Sequence, residues 1–301
     1  MVNPKLLKTF KGKKILVTGG TGSIGSEIVR QLLQFEPAQI RVYSRDESKH
    51  FFFQKELEKI THTCEVRNLI GDIRDKERLD KAMGGIDIVF HAAALKHVPF
   101  CEYNPFEAVK TNVNGTQNII DSALQHNVEK VIAISSDKAV YPSSIMGITK
   151  LLMERMIINA NYYLGESKTQ FSAVRFGNVL HSRGSVIPLW IHQIQNGDPV
   201  TVTDKKMKRY FMSIADAVKL VFIATANMSG REIFVLKMKQ RNIYNLAKEV
   251  IAKYNQGRKN VSIKITGARE REKISEKLFT KEEQSMMVEK KSYYVVYPEK
   301  E

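Results

Sequence analysis

The sequence predicts an α/β protein: a doubly wound parallel sheet carrying a smaller, mostly C-terminal domain. Three observations lead there. As far as Phe176, short β-branched runs alternate with longer amphipathic stretches, the order that lays helices on both faces of a parallel sheet. A glycine-rich segment separates the first such run from the first amphipathic stretch. Beyond Phe176 the alternation weakens, while glycine, proline and charge increase.

Taken in order, Ile15 to Thr18 reads as a first strand buried on both faces. Gly25 to Phe35 follows as a helix with Ile28, Leu32 and Leu33 on one side. Gln39 to Tyr43, Cys64 to Ile70 and Ile86 to His91 supply the next three strands. Asn104-Pro105 opens a long helix through about His126, because proline suits a first helical turn. Lys130 to Ser135 is a fifth strand, Gly147 to about Tyr163 a helix, and Phe171 to Phe176 a sixth strand. Crossovers between parallel strands are right-handed. Residues 1–176 are thus expected to form the sheet domain, rejoined by about 210–236, and residues 177–301 to contribute mostly to the smaller one.

Composition narrows the class. The chain has 301 residues, 43% hydrophobic and 26% charged, ordinary for a folded, soluble protein. Cys64 and Cys101 have no metal-like spacing, which points to a reducing compartment. His91, His97, His181 and His192 form no metal constellation, so no metal is expected. No apolar run reaches the roughly 18 residues of a membrane span. The basic stretch Met1 to Lys14 lacks the apolar segment of a signal peptide, and the expectation is a cytoplasmic protein. The net charge of +15 is spread along the chain, with modest clusters at 11–14 and 205–209. No nucleic-acid motif accompanies it, so phosphate-bearing small molecules are the expected partners and nucleic acid is not.

Strand one runs into Thr18-Gly19-Gly20-Thr21-Gly22-Ser23-Ile24-Gly25. Glycines let the backbone turn tightly and approach a pyrophosphate seated at the next helix's N-terminus, the arrangement of a Rossmann-type dinucleotide site. Gly19, Thr21, Gly22, Ser23, Ile24 and Gly25 are the expected contacts. After strand two, an NAD site usually presents a carboxylate to the ribose 2′-hydroxyl. Here stand Ser44 and Arg45, with Lys49 nearby, which suit a 2′-phosphate. NADP is therefore favoured over NAD, with Asp46 as the residue that could reverse the choice. Asp72 and Ile73 are expected beside the adenine, and Ala92, Ala93 and Ala94 near the pyrophosphate.

On the helix after strand five, short-chain dehydrogenases carry Tyr-x-x-x-Lys, whose tyrosine takes the alcohol proton. In this chain the frame is Met146-Gly147-Ile148-Thr149-Lys150, with the lysine kept and the tyrosine replaced. Just upstream lies Ser135-Ser136-Asp137-Lys138-Ala139-Val140-Tyr141-Pro142, an acid and a base side by side at a strand end.

These blocks resemble the UDP-N-acetylglucosamine 4,6-dehydratases, extended short-chain dehydrogenase/reductases of polysaccharide and flagellin-glycosylation pathways, over nearly the whole chain. The likeness includes Ser44-Arg45-Asp46-Glu47, His91 to Pro99, Glu102 to Glu107 and Thr111-Asn112-Val113. It continues through Arg175 to Leu180, Ser182 to Pro188, Thr201 to Asp204, Met207 and Arg209 to Ser213. What the resemblance implies is a redox-neutral cycle: hydride leaves sugar C4, water is eliminated across C5 and C6, and hydride returns to C6. By that analogy Lys138 removes the C5 proton and Asp137 protonates the departing 6-hydroxyl, with Ser136, Met146 and Lys150 in the reacting site. A water, Asp137 or Tyr141 is left to take the 4-hydroxyl proton. Asn112 falls at a cofactor position. Lys96, Asn178, Arg183, Val186, Thr201, Arg209, Arg269 and Glu272 fall at positions that hold UDP-N-acetylglucosamine. The last block departs from the usual G-x-R-x-G-E-K, because Arg271 stands where glycine is usual. Relatives dimerise through the helices at about 105–126 and 147–163, so a homo-oligomer is implied. A UDP-hexose C4 or C5 epimerase and a non-catalytic nucleotide sensor remain alternatives; the first leaves the Asp137-Lys138 pair harder to explain.

Overall fold

The computed structural model describes residues 3–255 and 261–297. Six parallel strands build its centre: β1 (Lys14–Thr18), β2 (Gln39–Ser44), β3 (Glu65–Ile70), β4 (Ile88–His91), β5 (Lys130–Ile134) and β6 (Gln170–Arg175). The remaining strands are β7 (Asn178–Val179), β8 (Val200–Val202), β9 (Lys208–Met212), β10 (Ile233–Leu236), β11 (Lys239–Asn242), β12 (Ile263–Ile265), β13 (Met287–Glu289) and β14 (Tyr293–Val296). Among the described residues the main sheet runs β13-β14-β10-β6-β5-β4-β1-β2-β3. Its β14 and β13 are antiparallel additions, so the chain returns to the sheet twice after Phe176. The smaller sheets are β11-β9-β7 and β12-β8.

Alternation along β1 explains the two-sided core. Ile15 and Val17 face one layer, with Phe10, Phe90 and Phe222, while Leu16 faces the other, with Val89, Val131 and Ile157. Burial of such side chains is worth roughly 1.5–3 kcal/mol each. Trp190 centres a third, smaller core between the helices Val186–Asn196 and Ile243–Tyr254.

The six expected strands form within two residues of their expected bounds. The crossovers after β2 and β3, unassigned by the sequence reading, are the helices Glu47–Leu57 and Lys76–Met83, capped by Asp46 and Asp75. The long helix expected from Pro105 is broken. It runs Pro105–Val109, widens into a π turn over Lys110–Asn114, and resumes over Gly115–Gln125, with a short helix Val98–Tyr103 before it. Thr111 and Asn112 lie buried in the widened turn. Among the described residues, no helix is long and apolar enough to cross a membrane.

Candidate functional site

Strand order reverses beside β1, whose neighbours β2 and β4 lead away in opposite directions, and ligand crevices form outside carboxyl ends at such points. A cleft of about 830 Å³ opens there. The glycine loop forms its floor. Gly19 has φ +63°, and a Cβ on Gly25 would sit 2.3 Å from the Gly19 carbonyl oxygen, so both positions require glycine. Gly22 caps the helix Ser23–Leu32 without a side chain, leaving the first-turn N–H groups to an anion. That cradle fits a dinucleotide pyrophosphate.

At the end of β2, the Thr21 and Ser44 hydroxyls lie 2.8 Å apart. Arg45 stays exposed, 3.6 Å from Asp72 Oδ2, and Ile73 lines the same wall. Asp46 is already engaged: it accepts from the Lys49 backbone N–H and pairs with the Lys49 ammonium. Ala92, Ala93 and Ala94 border the loop opposite.

Lys150 is buried and donates to the Ile134 carbonyl and the Met153 sulfur. Burial pushes its pKa down to about 8. Met146 lines the cleft and packs with Cys101 and Ala108. The turn Asp137–Ala139 follows β5 and is capped by the Ser136 hydroxyl. Lys138 Nζ is held 3.0 Å from Asp137 Oδ1 and 3.2 Å from Asn178 Oδ1.

The acid and base stand side by side as an ion pair after β5, but Lys138 and Ser136 line the cleft, whereas Asp137 is fully buried behind them. Asp137 meets the cleft through the Ser136 hydroxyl, which donates to its Oδ1 at 3.0 Å.

Other assignments move as well. Arg183 lines the cleft, yet its guanidinium donates to the Thr21 carbonyl at 2.6 Å and its N–H to Ser23 Oγ, on the cofactor side. Lys96 donates to the Arg183 carbonyl, and burial lowers its pKa. Asn112 does not line the cleft; its amide bonds both the N–H and the carbonyl of Leu95. Thr201 is outside it too, its hydroxyl on Gln193 and its carbonyl accepting from Trp190. Tyr141 is turned away, its hydroxyl accepting from the Lys281 N–H. Val186, Arg209, Arg269 and Glu272 do converge on the cleft, with Arg209 and Glu272 paired at 3.2 Å. Arg271, where glycine is usual, has φ +60°, in the left-handed region that favours glycine. His91, 1% exposed, sits between Thr18 and Thr116, and burial lowers its pKa to about 3; it is a structural residue. Among the described residues no group of side chains could hold a metal ion. Sequence reasoning missed Ser135, whose buried Oγ has no hydrogen-bond partner on the cleft wall, and also Lys273 and Glu276. The serine was legible as the end of the fifth expected strand, two residues before Asp137.

A Rossmann-type sheet with this glycine loop, and a buried lysine on the helix after β5, defines an extended short-chain dehydrogenase/reductase. Residues 15–298 match the polysaccharide biosynthesis protein family, and the chain belongs to it. The UDP-N-acetylglucosamine 4,6-dehydratase (inverting) of Campylobacter jejuni is 42% identical over 96% of this chain and 84% of its own length. A UDP-glucose 4-epimerase of Rickettsia rickettsii is 40% identical over 95% of this chain and 83% of its own. The X-ray structure of Pen from Bacillus thuringiensis superposes with a TM-score of 0.92 at 43% identity, covering 96% of this chain and 90% of that one.

Proposed function

We propose that the protein is an NADP-dependent UDP-N-acetylglucosamine 4,6-dehydratase, yielding a UDP-4-keto-6-deoxy-N-acetylhexosamine for glycan synthesis. The observation that carries this reading is Lys138, a lysine on the cleft wall fixed between Asp137 and Asn178. C4 epimerisation needs no base at C5, whereas elimination across C5 and C6 does. When bound, the nicotinamide dinucleotide supplies reversible hydride acceptance, so that a C4 ketone acidifies the neighbouring C5–H.

In this mechanism Lys138 takes the C5 proton, while the Ser136 hydroxyl turns from Asp137 to the departing 6-hydroxyl, gives it a proton and takes one back from Asp137. With Met146 unable to accept a proton, Lys150, with its pKa near 8, is the proposed acceptor of the 4-hydroxyl proton, with the Ser135 hydroxyl on the wall as the relay. Arg45 supports NADP, because its guanidinium is exposed at the ribose end while Asp46 is committed to Lys49. Exposed Phe100, Phe106, Ile148 and Leu152 on the helices beyond β4 and β5 support a homodimer, which a monomeric sedimentation coefficient would contradict.

Lys138→Met tests the assignment. Dehydration is expected to fall by about 10²–10⁴-fold with UDP binding retained. Near-normal dehydration by this variant would remove the base from the mechanism.

A further inference from the structure

Residues 140–143, just beyond the turn that carries Lys138, rest against a segment from the far end of the chain. Three hydrogen bonds join them. Lys273 Nζ donates to the Val140 carbonyl at 2.8 Å, the Lys281 N–H donates to the Tyr141 hydroxyl at 2.8 Å, and Ser143 Oγ donates to the Arg271 carbonyl at 2.8 Å. Tyr141 has φ +45°, a backbone region that bulky side chains seldom occupy unless their surroundings impose it.

The segment is fixed at both ends. Near its start, Arg209 of β9 pairs with Glu272 and donates to the Ile274 carbonyl. Near its end, Arg175 of β6 donates to the Leu278 carbonyl and pairs with Glu283. Arg175 also pairs with Glu154, on the helix that carries Lys150. A span held this way acts as a strap across the acid–base turn.

We propose that this strap couples occupancy of the nucleotide end of the cleft to the placement of Lys138, with Lys273 and Tyr141 as positioning residues. The inference rests on the reading that the cleft takes a UDP-sugar. Arg269, Glu272 and Arg209 line the cleft, so a diphosphate or uridine that engages them bears on the strap directly. Lys273 follows Glu272 and passes the displacement to the Val140 carbonyl. The Val140 N–H is bonded to the Asp137 carbonyl, so the turn from Asp137 to Val140 moves as one unit. Contacts with the non-reacting part of the substrate thereby contribute to orientation at the reacting carbon.

Amide hydrogen exchange with UDP as the probe reads the coupling without needing turnover. Saturating UDP is expected to slow exchange across residues 137–144 by about 5- to 150-fold in the wild-type protein, and to leave it nearly unchanged in Lys273→Met. The same variant is expected to lose on the order of 10²-fold in kcat with UDP affinity retained, and Lys273→Arg to regain most of it. Tyr141→Phe, which removes a single hydroxyl, is expected to lower kcat less. Wild-type exchange indifferent to UDP would overturn the proposal, as would a Lys273→Met loss explained wholly by weaker UDP binding. UDP-dependent protection in a protein that dehydrates no UDP-sugar would support the coupling while contradicting the dehydratase reading.

Discussion

The glycine loop and the strap both border the cleft, but they are built in opposite ways. The loop is contiguous: eight residues from Thr18 to Gly25 carry the turn, the close backbone approach and the open helix N-terminus. Its nearby cation, Arg45, is more than half exposed. The strap from Arg269 to Glu283 lines the cleft only because residues far away in sequence hold it. Arg175, Arg209 and Val140 reach it from separate elements, and its principal cation, Arg175, is 1% exposed. Local chemistry makes the first region, and tertiary assembly makes the second. Substitutions in the loop should therefore act on ligand choice, and those in the strap on stability and on the acid–base turn.

Arg175→Met gives the largest contrast. It leaves Glu154 and Glu283 buried without their cation, which is expected to cost about 3–5 kcal/mol in urea unfolding. A loss below about 1 kcal/mol, typical of an exposed pair, would put the strap on the same footing as the surface.

Arg45→Ala is expected to do the reverse, leaving the fold intact and weakening NADP⁺ binding by roughly 1.5–3 kcal/mol relative to NAD⁺. Equal losses for both cofactors in titration calorimetry would show that the loop region does not discriminate between them.

The smallest effect concerns pH. Lys150 has a folded pKa of about 8, below its usual 10.5, so between those values the unfolded chain binds a proton that the folded chain has released. Stability is expected to rise with pH across that window, the burial penalty being fully present below about 8. Lys150→Met should lack this component of the rise, and identical pH profiles for the two proteins would contradict the buried-lysine assignment.

The same contrast explains what the sequence could disclose. The central strands were legible because most are short apolar runs buried on both faces, β3 at the sheet edge being the exception, and the glycine loop because its constraints are local. The break in the helix after Pro105 was not, because Lys110 to Asn114 contains neither proline nor glycine to mark the π turn in which Thr111 and Asn112 are buried. Asn112 and Thr201 carry the right chemistry for a ligand, yet Leu95, Gln193 and Trp190 use it first. Asp137 and Lys138 form the ion pair that their adjacency suggests, but the burial of Asp137 behind a cleft-lining Lys138 depends on a turn geometry that adjacency in sequence does not reveal.

The central claim is tested most directly with UDP-N-acetylglucosamine deuterated at C4, followed by mass spectrometry and absorbance. The account predicts a product lighter by one water that carries the deuterium at C6, without accumulation of reduced dinucleotide. A product of unchanged mass, the mark of epimerisation, or stoichiometric build-up of NADPH would contradict it.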